Sequence, residues 1–128
     1  MKRPALDSLL LASTAPQQLG DWYAAALEPA EDTKMDGYRV LRFGAFHLLI
    51  DHRDDVSDAT AEPDRVILNF DVDDARQVAA RIEEAGTSWL AELEARDGSL
   101  FATAIDPDGN YVQIIQLSDA HRAAMQTP

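Results

Sequence analysis

The chain has 128 residues, enough for one domain with a sizeable core but too few for two independent domains. It contains no cysteine, which excludes disulfides and thiolate metal sites, and no apolar run approaches the ~20 residues that span a bilayer. Its formal net charge of −12 argues against nucleic acid and anionic membranes as partners, and indicates either a solubilising surface or a cationic ligand.

The first half of the chain predicts one helix among short strands. The opening residues are too polar for a signal peptide, so we expect a cytoplasmic location. Ser13 or Thr14 is expected to cap the helix, with Pro16 in its first turn and Pro29 as its stop. The predicted order is strand, helix, strand and strand, at residues 9–12, about 15–28, 38–43 and 45–50.

The second half repeats this order after a polar linker. Asp73 or Asp74 is expected to cap the helix, Gly86 to end it, and Asp97-Gly98 to form a tight hairpin turn. After residue 118 the tail shows no clear core face beyond its alanines. The predicted elements are a strand, a helix and three strands, at residues 65–72, about 74–85, 88–95, 99–105 and 111–117.

The C-terminal hairpin carries the most specific motif. Its turn reads Asp106-Pro-Asp-Gly-Asn110, in which Asp and Pro initiate the reversal while Gly109 and Asn110 tolerate a positive φ. The sequence of this turn resembles the C-terminal signature of the vicinal oxygen chelate superfamily, which contains glyoxalase, bleomycin-resistance and extradiol dioxygenase relatives. Trp22-Tyr23 resembles the family's aromatic pair in its first helix, and Phe70-Asp-Val-Asp-Asp74 resembles the end of its middle strand.

The resemblance implies an α+β fold, in which two βαβββ modules form curled mixed sheets around a cup. One domain would span 1–128, with modules at about 5–52 and 65–118, a linker at about 53–64 and a tail at 119–128. It also implies a homodimer, because the family commonly covers unpaired strand edges by pairing modules between chains.

In metal-dependent members of the family, four inward-facing side chains hold a divalent ion that chelates neighbouring substrate oxygens. The resemblance places these four positions near Ser8, Leu48, Ile67 and Gln113. Leu and Ile have no donor atom, while Ser and Gln are weak neutral ligands. Shifting each of the four placements by one residue does not restore the metal site, since the shifted positions hold Asp7, His47, Leu68 and Val112. The sequence therefore predicts no metal at these positions and no cofactor.

Strand alternation then suggests what lines the cup. If Gln113 faces inward, so does Tyr111, whereas Val112 and Ile114 pack against a helix. A buried amide requires a partner, which favours a ligand-facing role for Asn69 and Gln113 over a closed core. The predicted ligand-binding residues are Ser8, Phe46, Leu48, Ile67, Asn69, Tyr111 and Gln113.

Three functions remain open at this point. The first is metal-independent binding of a small organic molecule, with a cation as one candidate, similar to the bleomycin-resistance branch. The second is an enzyme: either a metal-dependent lyase, isomerase or dioxygenase with relocated ligands, or a metal-free catalyst using Tyr or His. The third is a non-catalytic interaction module. No nucleophile elbow, dinucleotide-binding or phosphate-binding glycine motif occurs.

Overall fold

The structure is a computed structural model that describes residues 2–126. The chain divides into two compact units between Asp58 and Ala59. The elements of the first unit are β1 (Ser8–Ser13), α1 (Pro16–Leu27), β2 (Glu31–Met35), β3 (Tyr38–Phe43) and β4 (Phe46–His52). Those of the second are β5 (Leu68–Asp71), α2 (Ala75–Glu84), β6 (Ser88–Arg96), β7 (Ser99–Ile105), β8 (Tyr111–Gln116) and α3 (Asp119–Gln126).

Each unit contains a four-stranded mixed sheet with the same plan. The strand orders are β1-β4-β3-β2 and β5-β8-β7-β6, and the sheets are separate. In each sheet the first strand pairs in parallel with the last, and the remaining pairs are antiparallel. This confirms the predicted α+β fold with two βαβββ modules, while the proposed domain boundaries stay predictions. None of the helices in residues 2–126 is long and apolar enough to cross a membrane.

The core of the first unit lies between α1 and its sheet. Leu19, Tyr23 and Ala26 recur at helical spacing and are 0% exposed. The Tyr23 ring also meets the Trp22 ring edge to face, with centroids 4.9 Å apart. Full burial of a side chain of this size stabilises a fold by roughly 1.5–3 kcal/mol. Both aromatic residues are therefore packing anchors.

The start of α1 differs from the prediction. Its N-cap is Ala15, which makes no side-chain cap hydrogen bond, so the expected cap by Ser13 or Thr14 is wrong. Ser13 Oγ instead accepts from the Ala15 N–H at 3.0 Å. The Thr14 hydroxyl donates to Asp58 at 2.8 Å. Both hydroxyls therefore hold the segment before the helix, and Pro16 opens the helix itself.

The second unit follows its sequence signals closely. Asp74 caps α2 as predicted, since its carboxylate accepts from the Gln77 N–H at 3.1 Å. Gly86 follows the helix with a φ of +84°. At the β6–β7 turn Asp97 and Gly98 both have positive φ, 51° and 85°, as a tight hairpin turn requires. The helix and the hairpin are therefore set by local sequence.

Two elements escape the sequence patterns. β2 reads Glu-Asp-Thr-Lys-Met, and all five residues are exposed, so it has no apolar alternation. It is a strand because it pairs with β3 along its whole length. α3 lies in the tail, where the His121 N–H donates to the Ser118 hydroxyl at 3.1 Å. Arg122 then makes a two-pronged ion pair with Asp71 of β5, at 2.9 and 3.1 Å.

Candidate functional site

Each sheet has one face toward its helix and one face away from it. In the first sheet Arg39 marks the helix side, because its guanidinium contacts Asp21 of α1 at 2.7 Å. Arg39 lies directly opposite Ile50 on β4, and cross-strand neighbours share a face. Ile50 and the residues two and four positions before it, Leu48 and Phe46, therefore face α1.

The predicted inward orientation of Phe46 and Leu48 is therefore wrong. Leu48 is 2% exposed and belongs to the helix-covered core. Ser8 pairs with His47, not with Leu48, so Ser8 lies on the opposite face of the sheet. The placement derived from the family motifs is one residue off in this strand. The structure thus separates Ser8 from the two predicted partners in its own unit.

In the second sheet Val112 and Ile114 lie on the helix side, as the sequence predicted. Val112 and Ile114 are 0% exposed and share the core with Val78 and Ile82 of α2. Gln113 lies between them along the strand and faces away from α2.

The register places Gln113 beside Asn69 on β5 and beside Thr103 on β7. We call Asn69, Gln113 and Thr103 the amide row. It crosses three neighbouring strands on the face of the sheet opposite α2.

The side chains of the amide row make no hydrogen bond to any other residue in the described part of the chain. Asn69 is exposed, Gln113 is half-buried and Thr103 is 8% exposed. The sequence argument that Asn69 is a buried amide is therefore wrong, because its side chain is open to solvent. The row nevertheless presents two amides and a hydroxyl, which together donate and accept hydrogen bonds.

Apolar side chains border the amide row on the same face. Tyr111 lies two residues before Gln113, and Ile115 lies two residues after it. Ile115 pairs with Phe101, whose ring has the Arg96 guanidinium 5.8 Å from its centroid. Ile67 precedes β5 on the same alternation as Asn69 and is 42% exposed. An apolar border around a few polar groups is typical of small-molecule sites.

An ion pair closes one end of this face. Asp71 lies two residues after Asn69 on β5, and Arg122 of α3 binds both of its carboxylate oxygens. The Arg122 guanidinium holds the pKa of Asp71 below its usual range. Asp71 therefore stays ionised and paired at neutral pH, which leaves the neutral amide row as the unpaired polar group beside it.

Thr103 was missed by the sequence reasoning, although a signal for it existed. The turn from Asp106 to Asn110 joins Ile105 directly to Tyr111. Moving two residues away from the turn along each strand leads from Ile105 to Thr103 and from Tyr111 to Gln113, so these two residues are opposite each other. The parallel pairing of Asn69 with Gln113 has no connecting turn, so alternation alone could not supply it.

The donor set does not fit the metal site of the family. Of the four implied positions, Ile67 has no donor atom, and Leu48 is buried on the α1 side, so that His47 stands on the face of Ser8 in its place as the one imidazole. Ser8 and Gln113 offer neutral oxygens, whereas divalent ions of this class are held by imidazole and carboxylate groups. Within residues 2–126 no cluster of three or more His, Asp or Glu side chains is arranged to hold an ion.

One contact between a hydroxyl and an imidazole could suggest acid–base chemistry. Ser99 Oγ and His121 Nδ1 form a short hydrogen bond. Ser99 is 0% exposed, however, and its oxygen also accepts from the Ser118 N–H at 2.8 Å. The pair joins the start of α3 to β7 and offers no accessible nucleophile.

Comparison with solved structures finds the same fold in several bacterial proteins. A glyoxalase/bleomycin resistance protein/dioxygenase family enzyme from Burkholderia phytofirmans PsJN superposes with a TM-score of 0.74 at 14% identity, covering 90% of this chain and 100% of that one. A glyoxalase/bleomycin resistance protein from Albidiferax ferrireducens T118 gives 0.72 at 18%, covering 88% and 98%. The integron cassette protein VCH_CASS1 from V. cholerae gives 0.69 at 20%, covering 92% and 98%.

No curated protein sequence matches the chain. A family model does: the glyoxalase-like domain matches residues 8–115, which covers both sheets. The motifs in α1, at the end of β5 and in the last hairpin predicted this superfamily from the sequence. The chain belongs to the glyoxalase-like domain family of the vicinal oxygen chelate superfamily.

Proposed function

We propose that this protein binds a small organic molecule on the face of the second sheet opposite α2, without a metal ion. The observation that carries the proposal is the amide row, three polar side chains aligned across three strands with no partner in the described chain. Thr103 is 8% exposed and Gln113 is half-buried, and a purely structural role would have paired these two groups or replaced them by apolar residues. Ligand binding explains why neutral polar groups stand among Tyr111, Ile115 and Phe101.

The chemistry of the row indicates the kind of ligand. Two amides and a hydroxyl favour a molecule that carries both donors and acceptors, such as an amide or a hydroxylated ring. The apolar border favours a ligand with a ring or a short aliphatic body. The chain's net charge of −12 attracts cations over several ångströms, so a positively charged ligand binds more readily than an anion of the same shape.

The experiment is a thermal-shift screen with a small-molecule library, repeated on Gln113→Leu. The best compound is expected to raise the melting temperature of the wild type. Gln113→Leu should lose most of that shift, while the empty variant melts within a few degrees of the wild type because Gln113 has no partner to lose. A variant that is destabilised when empty, with no compound shifting the wild type, would instead favour the non-catalytic interaction module.

Gln116→Leu provides a matched control on the same strand. Its side-chain oxygen accepts from the Ala75 N–H at 2.8 Å, at the start of α2. Removing that acceptor is expected to cost about 1–3 kcal/mol of unfolding free energy. The ligand-induced shift should survive, since Gln116 lies on the α2 side of the sheet. The two variants therefore separate a loss of binding from a loss of stability.

We further propose that the protein carries no transition metal. Elemental analysis after purification without affinity tags is expected to give well below one equivalent of Zn, Fe, Mn or Ni. The physical reason is the donor set at Ser8, Ile67 and Gln113, with His47 in place of Leu48 on the face of Ser8, which offers one imidazole and no carboxylate. One tightly bound equivalent that disappears in Gln113→Ala would instead support a metalloenzyme with relocated ligands.

A homodimer remains part of the proposal. Each four-stranded sheet ends in edge strands, and unpaired edges are commonly covered by a second copy. Light scattering at micromolar concentration is expected to give about twice the 14.1 kDa mass of one chain. Moderate salt is needed because two acidic chains repel one another at low ionic strength. A monomer mass under those conditions would contradict the prediction.

A further inference from the structure

A row of polar side chains crosses the sheet of the first unit on the face turned away from α1. The register aligns Ser8 of β1 with His47 of β4. His47 is aligned in turn with Arg42 of β3, and Arg42 with Glu31 of β2. Cross-strand neighbours share a face, and Leu48, the residue after His47, is the one that faces α1. We call Ser8, His47, Arg42 and Glu31 the histidine row.

Two members of the histidine row satisfy each other and leave the row without a net charge. The Arg42 guanidinium pairs with the Glu31 carboxylate at 3.3 Å and donates to the Gly44 carbonyl at 2.9 Å. One cation and one anion cancel, so the row does not select a charged ligand. A ligand at this face is therefore recognised through neutral hydrogen-bonding groups.

His47 and Ser8 are the members of the row that remain open. Both are half-buried, and neither side chain makes a hydrogen bond to another residue in the described part of the chain. The other two histidines each have a side-chain partner, a serine hydroxyl for His121 and an aspartate 3.1 Å away for His52. Polar atoms withdrawn from water are normally hydrogen-bonded, so this open pair favours a ligand.

The two open groups together define the kind of atom that fits between them. A neutral imidazole has one N–H donor and one bare nitrogen that only accepts, while the Ser8 hydroxyl both donates and accepts. Neighbouring strands lie about 4.8 Å apart, so one oxygen between His47 and Ser8 can reach both at ordinary hydrogen-bond distances. An oxygen that donates to the imidazole and accepts from the serine is a hydroxyl group.

An apolar row lies two residues further along the same strands. Leu10, Leu49 and Val40 are opposite one another on β1, β4 and β3. Leu10 is 52% exposed and the other two are half-buried, so this row is accessible. Two residues along a strand span about 6.6 Å, which is close to the length of one six-membered ring with a single substituent. A ring can therefore lie on the apolar row while its hydroxyl reaches the histidine row.

We propose that this face binds a phenol, with the phenolic hydroxyl between His47 and Ser8 and the ring on Leu10 and Leu49. The hydroxyl donates to the bare imidazole nitrogen and accepts from the serine, and the ring buries apolar surface. A phenol is favoured over an aliphatic alcohol because its O–H group is the more acidic donor. This site lies in the first unit and is separate from the amide row of the second.

The test is an NMR titration of ¹⁵N-labelled protein with phenol, and separately with anisole, in which a methyl group replaces the hydroxyl proton. The titration is made at pH 8, which favours the neutral form of imidazole groups. Phenol is expected to shift the ring nitrogens of His47 and the backbone amides of Ser8, Leu10 and Leu49. Anisole should bind about two- to tenfold more weakly, because its oxygen cannot donate the hydrogen bond.

Two histidine variants form a matched pair on one strand. His47→Leu should weaken phenol binding about two- to tenfold and should not weaken anisole binding. His52→Leu makes the same chemical change two residues after Ile50, on the α1 side of the sheet, and should alter neither. Leu10→Ala should weaken phenol and anisole alike, because it removes the surface on which both rings lie.

Equal binding of phenol and anisole to the wild type would overturn the proposal. So would an unchanged phenol affinity in His47→Leu, shifts confined to residues outside β1, β3 and β4, or no shifts at all. If His47→Leu does not fold, the ring nitrogens of His47 in the wild type decide the question. They must then shift with phenol and stay in place with anisole, and any other result contradicts the proposed hydrogen bond.

Discussion

Leu48→Ala is expected to lower the free energy of unfolding by about 2–5 kcal/mol. Leu48 is 2% exposed and lies directly opposite the fully buried Leu41, in the layer that α1 covers. Truncating it removes apolar contacts and leaves a cavity that the packed layer cannot close. Chemical denaturation followed by circular dichroism measures the loss, which should appear as a lower midpoint with an unchanged slope.

Leu10→Ala is the matched control for this change. Leu10 lies on the neighbouring strand β1, but on the face turned away from α1, and it is 52% exposed. The same truncation should therefore cost less than about 1 kcal/mol. If the two variants lost similar stability, Leu48 would not be part of the helix-covered core, and its orientation would return to the one that the family motifs suggested.

The reason for the misassigned face is visible in the strand sequences. β4 reads Phe-His-Leu-Leu-Ile at its start, so nearly every position is apolar and alternation does not distinguish the two faces. In β8 the polar Gln113 stands between the apolar Val112 and Ile114, and this alternation marks the two faces. The orientation of β8 could therefore be predicted, whereas that of β4 required the observed pairing of Ile50 with Arg39, which contacts α1.

The sequence predicted those elements that are formed by interactions between residues close together in the chain. Asp74 caps α2, and Asp97-Gly98 reverses the chain, because in each case two or three neighbouring residues supply the interaction. β2 depends instead on pairing with a distant strand, and its charged sequence alone favours a loop. The orientation of α3 is set by Arg122 reaching Asp71, 51 positions earlier in the chain, which no local pattern contains.

The pairs within the amide row also differ in whether the sequence could predict them. The pairing of Thr103 with Gln113 follows from the length of one turn, so it was available from the sequence. The pairing of Asn69 with Gln113 is parallel, and no single turn joins its two strands, so its register could not be counted from the sequence.

The second large effect is expected at the turn that sets the register of the amide row. Asp106 is 3% exposed, and one carboxylate oxygen accepts from the Asp108 and Asn110 N–H groups, both at 2.9 Å. Its other oxygen accepts from the Asn110 side-chain amide at 2.9 Å. Asp106→Ala leaves these donors without their acceptor. We expect a loss of about 3 kcal/mol or more, since hydrogen bonds to a charged group contribute about 1.5–3 kcal/mol each and are not additive.

Asp106→Asn distinguishes this network from a simple effect of charge. An amide oxygen in the same place can still accept from both backbone N–H groups, so the turn keeps its two main bonds. Its NH₂ group, however, would face the side-chain NH₂ of Asn110, and this bond is lost. The expected order of stability is therefore wild type, then Asp106→Asn, then Asp106→Ala. Equal losses in the two variants would show that the charge of Asp106 matters, and that its acceptor geometry does not.

In Asp106→Ala the pairing of Thr103 with Gln113 should also loosen, because the turn no longer fixes the register. Amide hydrogen exchange should therefore rise first in β7 and β8 on the turn side, while α2 stays protected.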